Sequence, residues 1–189
     1  MRGRLPDSSL TELLVLRAQA GHQRAFAQLY HLWEHRLRAH AARTAADHSA
    51  AMDICQETWL AIARGLHRLD DPAAFAPWAY RIATRKAADW TRGRVRDRRL
   101  TDAPSPSASS PPSDDTERVR EAIGRLPPER RAILSMHYAD GLALTHIAQA
   151  LQVPVGTVKS RLHAARAELK RVLEQSEPNH ERSTEGSTP

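Results

Sequence analysis

The sequence predicts an all-α protein of two small helical domains, an N-terminal helical bundle and a C-terminal helix-turn-helix domain, joined by a flexible linker. Three observations predict it. Apolar residues recur at helical spacing in successive stretches on both sides of the middle of the chain. Residues 101–113, TDAPSPSASSPPS, hold Pro, Ser and Ala with no large apolar side chain, so they bury too little surface to offset the entropy of ordering them. Residues 145–174, THIAQALQVPVGTVKSRLHAARAELKRVLE, read as a short helix, a tight turn and a longer helix with a basic, polar outer face. The expected partition is 8–96 for the first domain, 97–114 for the linker, 115–174 for the second domain and 175–189 for a disordered tail.

Taken in order, residues 1–7 form a short polar tail, and Ser8 or Ser9 caps a first helix in which Leu10, Leu13, Leu14 and Arg17-Ala18 repeat at helical spacing. Gly21 is placed to end it. A second helix, about 22–43, buries Phe26, Leu29, Tyr30, Trp33 and Leu37. Ser49 begins a third, with Ile54, Thr58, Ala61 and Ile62 periodic and Gly65 near its close. Residues 67–74 form a loop, because Asp70-Asp71-Pro72 is a turn signature. Pro77 is tolerated only in a first turn, so the fourth helix starts near 74–76 and runs to about 94, turning Phe75, Trp78, Ala79 and Ile82 to the core. The second domain begins around Asp115 and continues through Val119 and Ile123. Leu126-Pro127-Pro128 then opens a helix with Pro at its first positions, and Asp140-Gly141 closes it.

In the helix-turn-helix, Leu142 and Leu144 lead into a helix capped by Thr145, with Ile147, Ala148 and Leu151 on one side. Gln152-Val153-Pro154 ends it, since the residue before Pro avoids the α region. Val158, Leu162, Ala165, Leu169 and Val172 then form one stripe. Gly156, Ser160, His163, Ala164 and Ala167 point away from the stripe, flanked by Lys159, Arg166 and Arg161. Small residues, donors and cations on an exposed face suit a major groove.

Charge supports a polyanionic partner. Lys plus Arg number 28 against 22 for Asp plus Glu, a net +6, and the sequence pI is about 10.2. The excess is concentrated. Residues 81–99 hold basic side chains at 81, 85, 86, 92, 94, 96, 98 and 99 against Asp89 and Asp97, and residues 155–172 hold them at 159, 161, 166, 170 and 171 against Glu168. Two separate basic helices suggest two separate contacts. Cys55 is the only cysteine, which excludes an internal disulfide and a cysteine-cluster zinc site and suits a reducing compartment. With no apolar run of spanning length and no apolar signal core, the expectation is a soluble, cytoplasmic protein with no membrane insertion.

Enzyme signatures are weak. His31-Leu32-Trp33-Glu34-His35 matches the H-x-x-E-H string of one class of zinc peptidases, but no third ligand has a distinctive context and ten histidines make chance matches expected. Solvated or half-buried histidines are the better reading, so no metal is expected. No phosphate loop, nucleophile elbow or dinucleotide fingerprint occurs. Cys55 reads as a small buried hydrophobe. Trp59, Phe75, Trp78 and Trp90 offer faces for unpaired bases, yet helical phase assigns Trp59, Phe75 and Trp78 to the core.

The motifs together resemble the extracytoplasmic-function (ECF) sigma factors of the sigma-70 family, which carry only the family's second and fourth regions. AQAGHQRAFAQLY, DICQETWLAIARGL and FAPWAYRIATRKAADW resemble the second region. LPPERRAILSMHYADGLALTHIAQALQVPVGTVKSRLHAARAEL resembles the fourth, with PVGTVKSRLHAAR the nearest match. The resemblance covers about residues 10–173 and implies an RNA polymerase initiation subunit that is not an enzyme and needs no cofactor. It implies docking of Asp53, Gln56 and Glu57 on the clamp helices of the largest polymerase subunit. The loop at 69–74, with Asp71 and Phe75, would hold an extruded −10 base while Arg81, Arg85 and Lys86 approach the strand's phosphates. The −35 element would meet Lys159, Ser160 and His163, with Thr157, Arg161 and Arg166 as phosphate contacts. Core RNA polymerase and promoter DNA are thus the implied partners, with an anti-sigma factor as the inhibitory partner common in the family. Arg85, Lys86 and Ala164 depart from the family, where Asn, an apolar residue and Arg are frequent. A stand-alone helix-turn-helix regulator and a zinc hydrolase at His31 and His35 are the competing readings.

Overall fold

Residues 6–45, 47–98 and 115–175 are described by the computed structural model, and every regular element among them is helical. The first helix, α1 (Ser8–Gln19), begins at Asp7, whose Oδ1 accepts the Ser9 N–H at 2.9 Å. The expected Ser8 or Ser9 cap is therefore corrected to Asp7. Ser8 instead donates its hydroxyl to Glu12, 2.6 Å away. Gly21, at φ +89°, ends the helix as expected, with its N–H on Ala18 O and the His22 N–H on Arg17 O.

Helix α2 (Gln23–Thr44) leads to α3 (His48–Gly65), which starts one residue before the expected Ser49 and is capped by the Asp47 carboxylate on the Ala50 N–H at 2.8 Å. Two short 3-10 turns, Leu66–Arg68 and Pro72–Ala74, occupy the expected loop. The fourth helix, α4 (Phe75–Arg98), places Pro77 in its first turn as required and runs past the expected end near 94. Successive helices pack on one another from α1 to α4. Trp33, 1% exposed, sits at the centre. Its ring meets Phe75 and Tyr80 edge-on at centroid separations of 5.3 and 6.5 Å, and its indole N–H donates to Thr11 Oγ1 at 3.3 Å. Trp59 is buried against Tyr30 and Phe26, while Trp78 is partly buried beside Phe75.

Beyond the chain centre come α5 (Asp115–Arg125) and α6 (Pro128–Leu134), the latter with Pro at its first position. A π-helical turn, Ser135–Ala139, extends α6 to Asp140, and Gly141 at φ +73° breaks it. Helix α7 (Leu144–Leu151) starts after Ala143 with no side-chain cap, so Thr145 lies inside the first turn instead of capping it. The helix stops at Gln152, which adopts the left-handed conformation (φ 55°, ψ 44°). Its backbone, more than Pro154, makes the turn into α8 (Val155–Gln175).

The two helical units are packed together. Helix α4 lies against α7, α2 lies against α6 and the turn after it, and the buried apolar residues of both units form one continuous cluster. The linker expected at 97–114 lies, from residue 99 onward, outside the described residues, as does the tail from 176.

Candidate nucleic-acid interface

Burial of one stripe of α8 decides what the other face presents. Val158 and Ala165 are fully buried and Leu162 nearly so, packed on α6 and α7. Because successive residues turn by about 100°, this leaves Lys159, Ser160, Arg161, His163 and Arg166 exposed, with Thr157 half-buried at the edge. Gly156, Ala164 and Ala167 between them are exposed and leave the face low, with little side chain above the backbone. The Ser160 hydroxyl donates to Thr157 O at 3.0 Å, and an Arg166 Nη reaches the Tyr138 hydroxyl at 3.4 Å.

In the first unit, Asp53, Gln56 and Glu57 are exposed on α3. Lys86 Nζ bonds Glu57 Oε2 at 2.9 Å, so two residues expected to serve different partners are joined to each other. The Lys86 hydrogen bond holds the Glu57 carboxyl below its ordinary range, with the Lys86 charge adding to the effect. Arg85 is exposed and Arg81 half-buried.

The loop before α4 uses its negative charge locally. Asp71 Oδ1 accepts the Ala73 N–H at 3.0 Å and caps the turn that starts at Pro72. Phe75, expected among the base-contacting residues, has a side chain 0% exposed against Trp33 and Trp78 at the start of α4. Sequence reasoning missed Gln19, whose side-chain NH2 donates to Leu66 O (2.9 Å) and Leu69 O (2.7 Å) and ties the loop to α1. A half-buried Gln at a helix end carries no sequence signal of that reach.

The structure also brings together side chains that the sequence assigned to different DNA elements. Arg81 and Arg85 of α4 and Arg161 of α8 line one cleft of about 480 Å³, floored by Ile133, Ala150 and Leu151.

His31 and His35 are exposed, His31 edge-on to Tyr30, and among the described residues no three His, Cys, Asp or Glu side chains are grouped to hold a metal ion. Cys55 is buried, and burial, reinforced by the Glu34 charge, pushes its thiol pKa up. Among the described residues no helix is long and apolar enough to cross a membrane.

The Sigma-70 region 2 family model matches residues 29–97, from within α2 through α4. The Sigma-70, region 4 model matches residues 116–169, across α5 to α8. RNA polymerase sigma-H factor of Pseudomonas aeruginosa is 30% identical over 178 residues, a match covering 85% of this chain and 92% of that protein. This chain belongs to the ECF group of the sigma-70 family.

Another sigma factor, the ECF factor SigW of Bacillus subtilis, is 26% identical over 176 residues, covering 84% of this chain and 94% of SigW. Among solved structures, CnrH in complex with the cytosolic domain of CnrY matches with a TM-score of 0.70 and 27% identity, over 89% of this chain and 99% of that one. The sigma factor RpoE in complex with the anti-sigma factor NepR, from Bartonella quintana, shares the fold at a TM-score of 0.68 and 23% identity, over 79% of this chain and 96% of that one. Family membership makes this chain an RNA polymerase sigma factor of transcription initiation.

Proposed function

We propose that this sigma factor docks on core RNA polymerase through Asp53, Gln56 and Glu57 of α3, reads the −35 element with α8, and melts the −10 element with the loop at 69–74 and the basic face of α4. The observation that carries it is the exposure of Lys159, Ser160, Arg161, His163 and Arg166 opposite a buried stripe on the second helix of a helix-turn-helix. Such a helix reads base edges with its central polar residues while flanking cations pair with phosphates. Lys159, Ser160 and His163 take the first role; Thr157, Arg161 and Arg166 take the second.

At the other DNA contact, an unpaired base held by the loop offsets the cost of opening the duplex, a route to melting without ATP. Arg81 and Arg85 supply phosphate partners, and Lys86 joins them by leaving Glu57. An exposed ion pair of this type exchanges readily for another anion. Phe75 and Asp71 act on this site from behind, one by packing and one by capping. An anti-sigma factor is the further partner proposed. Val119, Ile123, Leu134, Leu169 and Leu173 of the second unit, with Arg43 of the first, line an apolar groove of about 470 Å³ suited to an amphipathic helix of such an inhibitor, and the CnrH and RpoE structures were solved with CnrY and the anti-sigma factor NepR.

Run-off transcription tests the reading. Purified protein added to core polymerase is expected to start transcription on one class in a promoter library, with no ATP hydrolysis required for opening. No transcript on any member, together with tight duplex binding in the absence of polymerase, would instead establish a stand-alone regulator.

A further inference from the structure

A buried polar cluster joins the two helical units. Asp140, in the turn after α6, is 3% exposed and accepts from three groups: His40 Nδ1 at 3.1 Å, the Ser135 hydroxyl at 3.3 Å, and an Arg43 Nη. His40 is 0% exposed, and its Nε2 lies 3.1 Å from the Thr84 hydroxyl of α4. Arg43 Nε donates to Ser135 Oγ at 2.6 Å. Tyr80 packs edge-on against His40 at 5.0 Å. Its own hydroxyl is buried, and desolvation followed by the Asp140 charge drives its pKa up, keeping it protonated. The cluster therefore contains one guanidinium and one carboxylate in a nearly closed set of hydrogen bonds spanning α2, α4 and the second unit.

Promoter geometry is incompatible with this packing. Their position numbers alone put the −10 and −35 elements about 25 base pairs apart, roughly 85 Å at about 3.4 Å per pair. A compact chain of 189 residues has a radius of gyration of about 16 Å and is about 40 Å across. Arg81 and Arg85 face the same cleft as Arg161, whereas simultaneous promoter contacts would carry them far apart. The sixteen or so residues from 99 to 114 reach about 50 Å when extended, enough to permit that separation once the units part.

We propose that the cluster of His40, Arg43, Ser135 and Asp140 is an autoinhibitory latch that holds this sigma factor closed, and that engagement of polymerase and promoter requires it to open. What closure inhibits rests on the sigma-factor reading of the site; the latch itself rests on geometry. Polar groups suit such a latch because each recovers water on opening, whereas buried ion pairs contribute register more than net stability. An Asp140→Ala chain loses all three accepted hydrogen bonds and leaves Arg43 facing a buried void only in the closed state. Charge-assisted bonds of this kind shift an equilibrium by tenfold or more.

Small-angle X-ray scattering on the full chain tests the latch, with core-polymerase binding measured in parallel and far-UV circular dichroism confirming retained helix. The wild type is expected near the compact radius of gyration of about 16 Å. Asp140→Ala is expected to move toward about 24 Å, the value for two bodies of half the chain with centres about 40 Å apart, with Asp140→Asn between them. Apparent affinity for core polymerase should rise about tenfold in Asp140→Ala. An expanded wild type overturns the latch whatever the variants do, and so does a helical Asp140→Ala chain as compact as wild type. Expansion of the variant with neither protein binding polymerase supports the latch and strikes only the sigma-factor reading.

Discussion

Gln152 is the residue on which the orientation of α8 turns, and it pays a steric cost for doing so. It is a non-glycine residue at φ 55° and ψ 44°, its side chain is exposed, and its backbone N–H reaches Gln149 O at 3.3 Å while the next N–H bonds Ala148 O at 3.1 Å. For an L-residue with a Cβ, this conformation costs about 1–2 kcal/mol. Gln152→Gly removes that cost. It also adds about 0.4–1 kcal/mol of unfolded-chain entropy, so the net gain is about 0.5–1 kcal/mol. For a chain of this length that raises Tm by roughly 2–3 °C. Gln152→Val is expected to move Tm the other way, because a β-branched residue is more strongly excluded from the left-handed region. Thermal unfolding followed at 222 nm reads both, and −35 promoter choice should be unchanged by Gln152→Gly. A fall in Tm for the glycine variant, or no loss for the valine variant, would refute a left-handed hinge at this position.

Lys159→Ala and His163→Ala should lower run-off transcription at promoters bearing one −35 sequence, whereas Gln56→Ala should weaken core-polymerase binding whatever the promoter; the reverse pattern would contradict the assignments. Glu57 should titrate below the ordinary value of 4.5 because Lys86 bonds its charged form. The sign follows from that direction: the pair is intact above the ordinary carboxylate range and is lost as pH falls through the lowered value. In an NMR carboxyl titration, Lys86→Gln should return Glu57 toward 4.5, and an unmoved titration would show that the pair does not form in solution. Trp33→Ala deletes a side chain that is 1% exposed at the centre of the first unit, a loss of about 3–5 kcal/mol and about 10 °C in Tm; a change within 2 °C would mean the packing around it is loose.

Much of the site was legible because it is built from local rules. The stripe of Val158, Leu162 and Ala165 follows from period alone, and with it the exposure of Lys159, Ser160, Arg161 and His163. Pro77 correctly placed the start of α4, and Gly21 the end of α1. The caps were less legible: Ser8, Ser9 and Thr145 are good capping types, but Asp7 sat closer to the orphan N–H groups of α1 and α7 starts without a side-chain cap. Phe75 was assigned both a core phase and a DNA contact, and its burial bears out the first.

By itself the sequence determined the all-α class, the two helical units, the exposed basic face of α8 and the family, because periodicity, turn chemistry and short motifs are properties of neighbouring residues. Only the tertiary structure decided that Glu57 holds Lys86, that Arg81 and Arg85 share a cleft with Arg161, and that Asp140, read in the chain as part of a turn, is buried against His40 and Arg43. Those pairings join residues far apart in the chain, where hydrogen-bond geometry and exclusion of water, not spacing, select the partner.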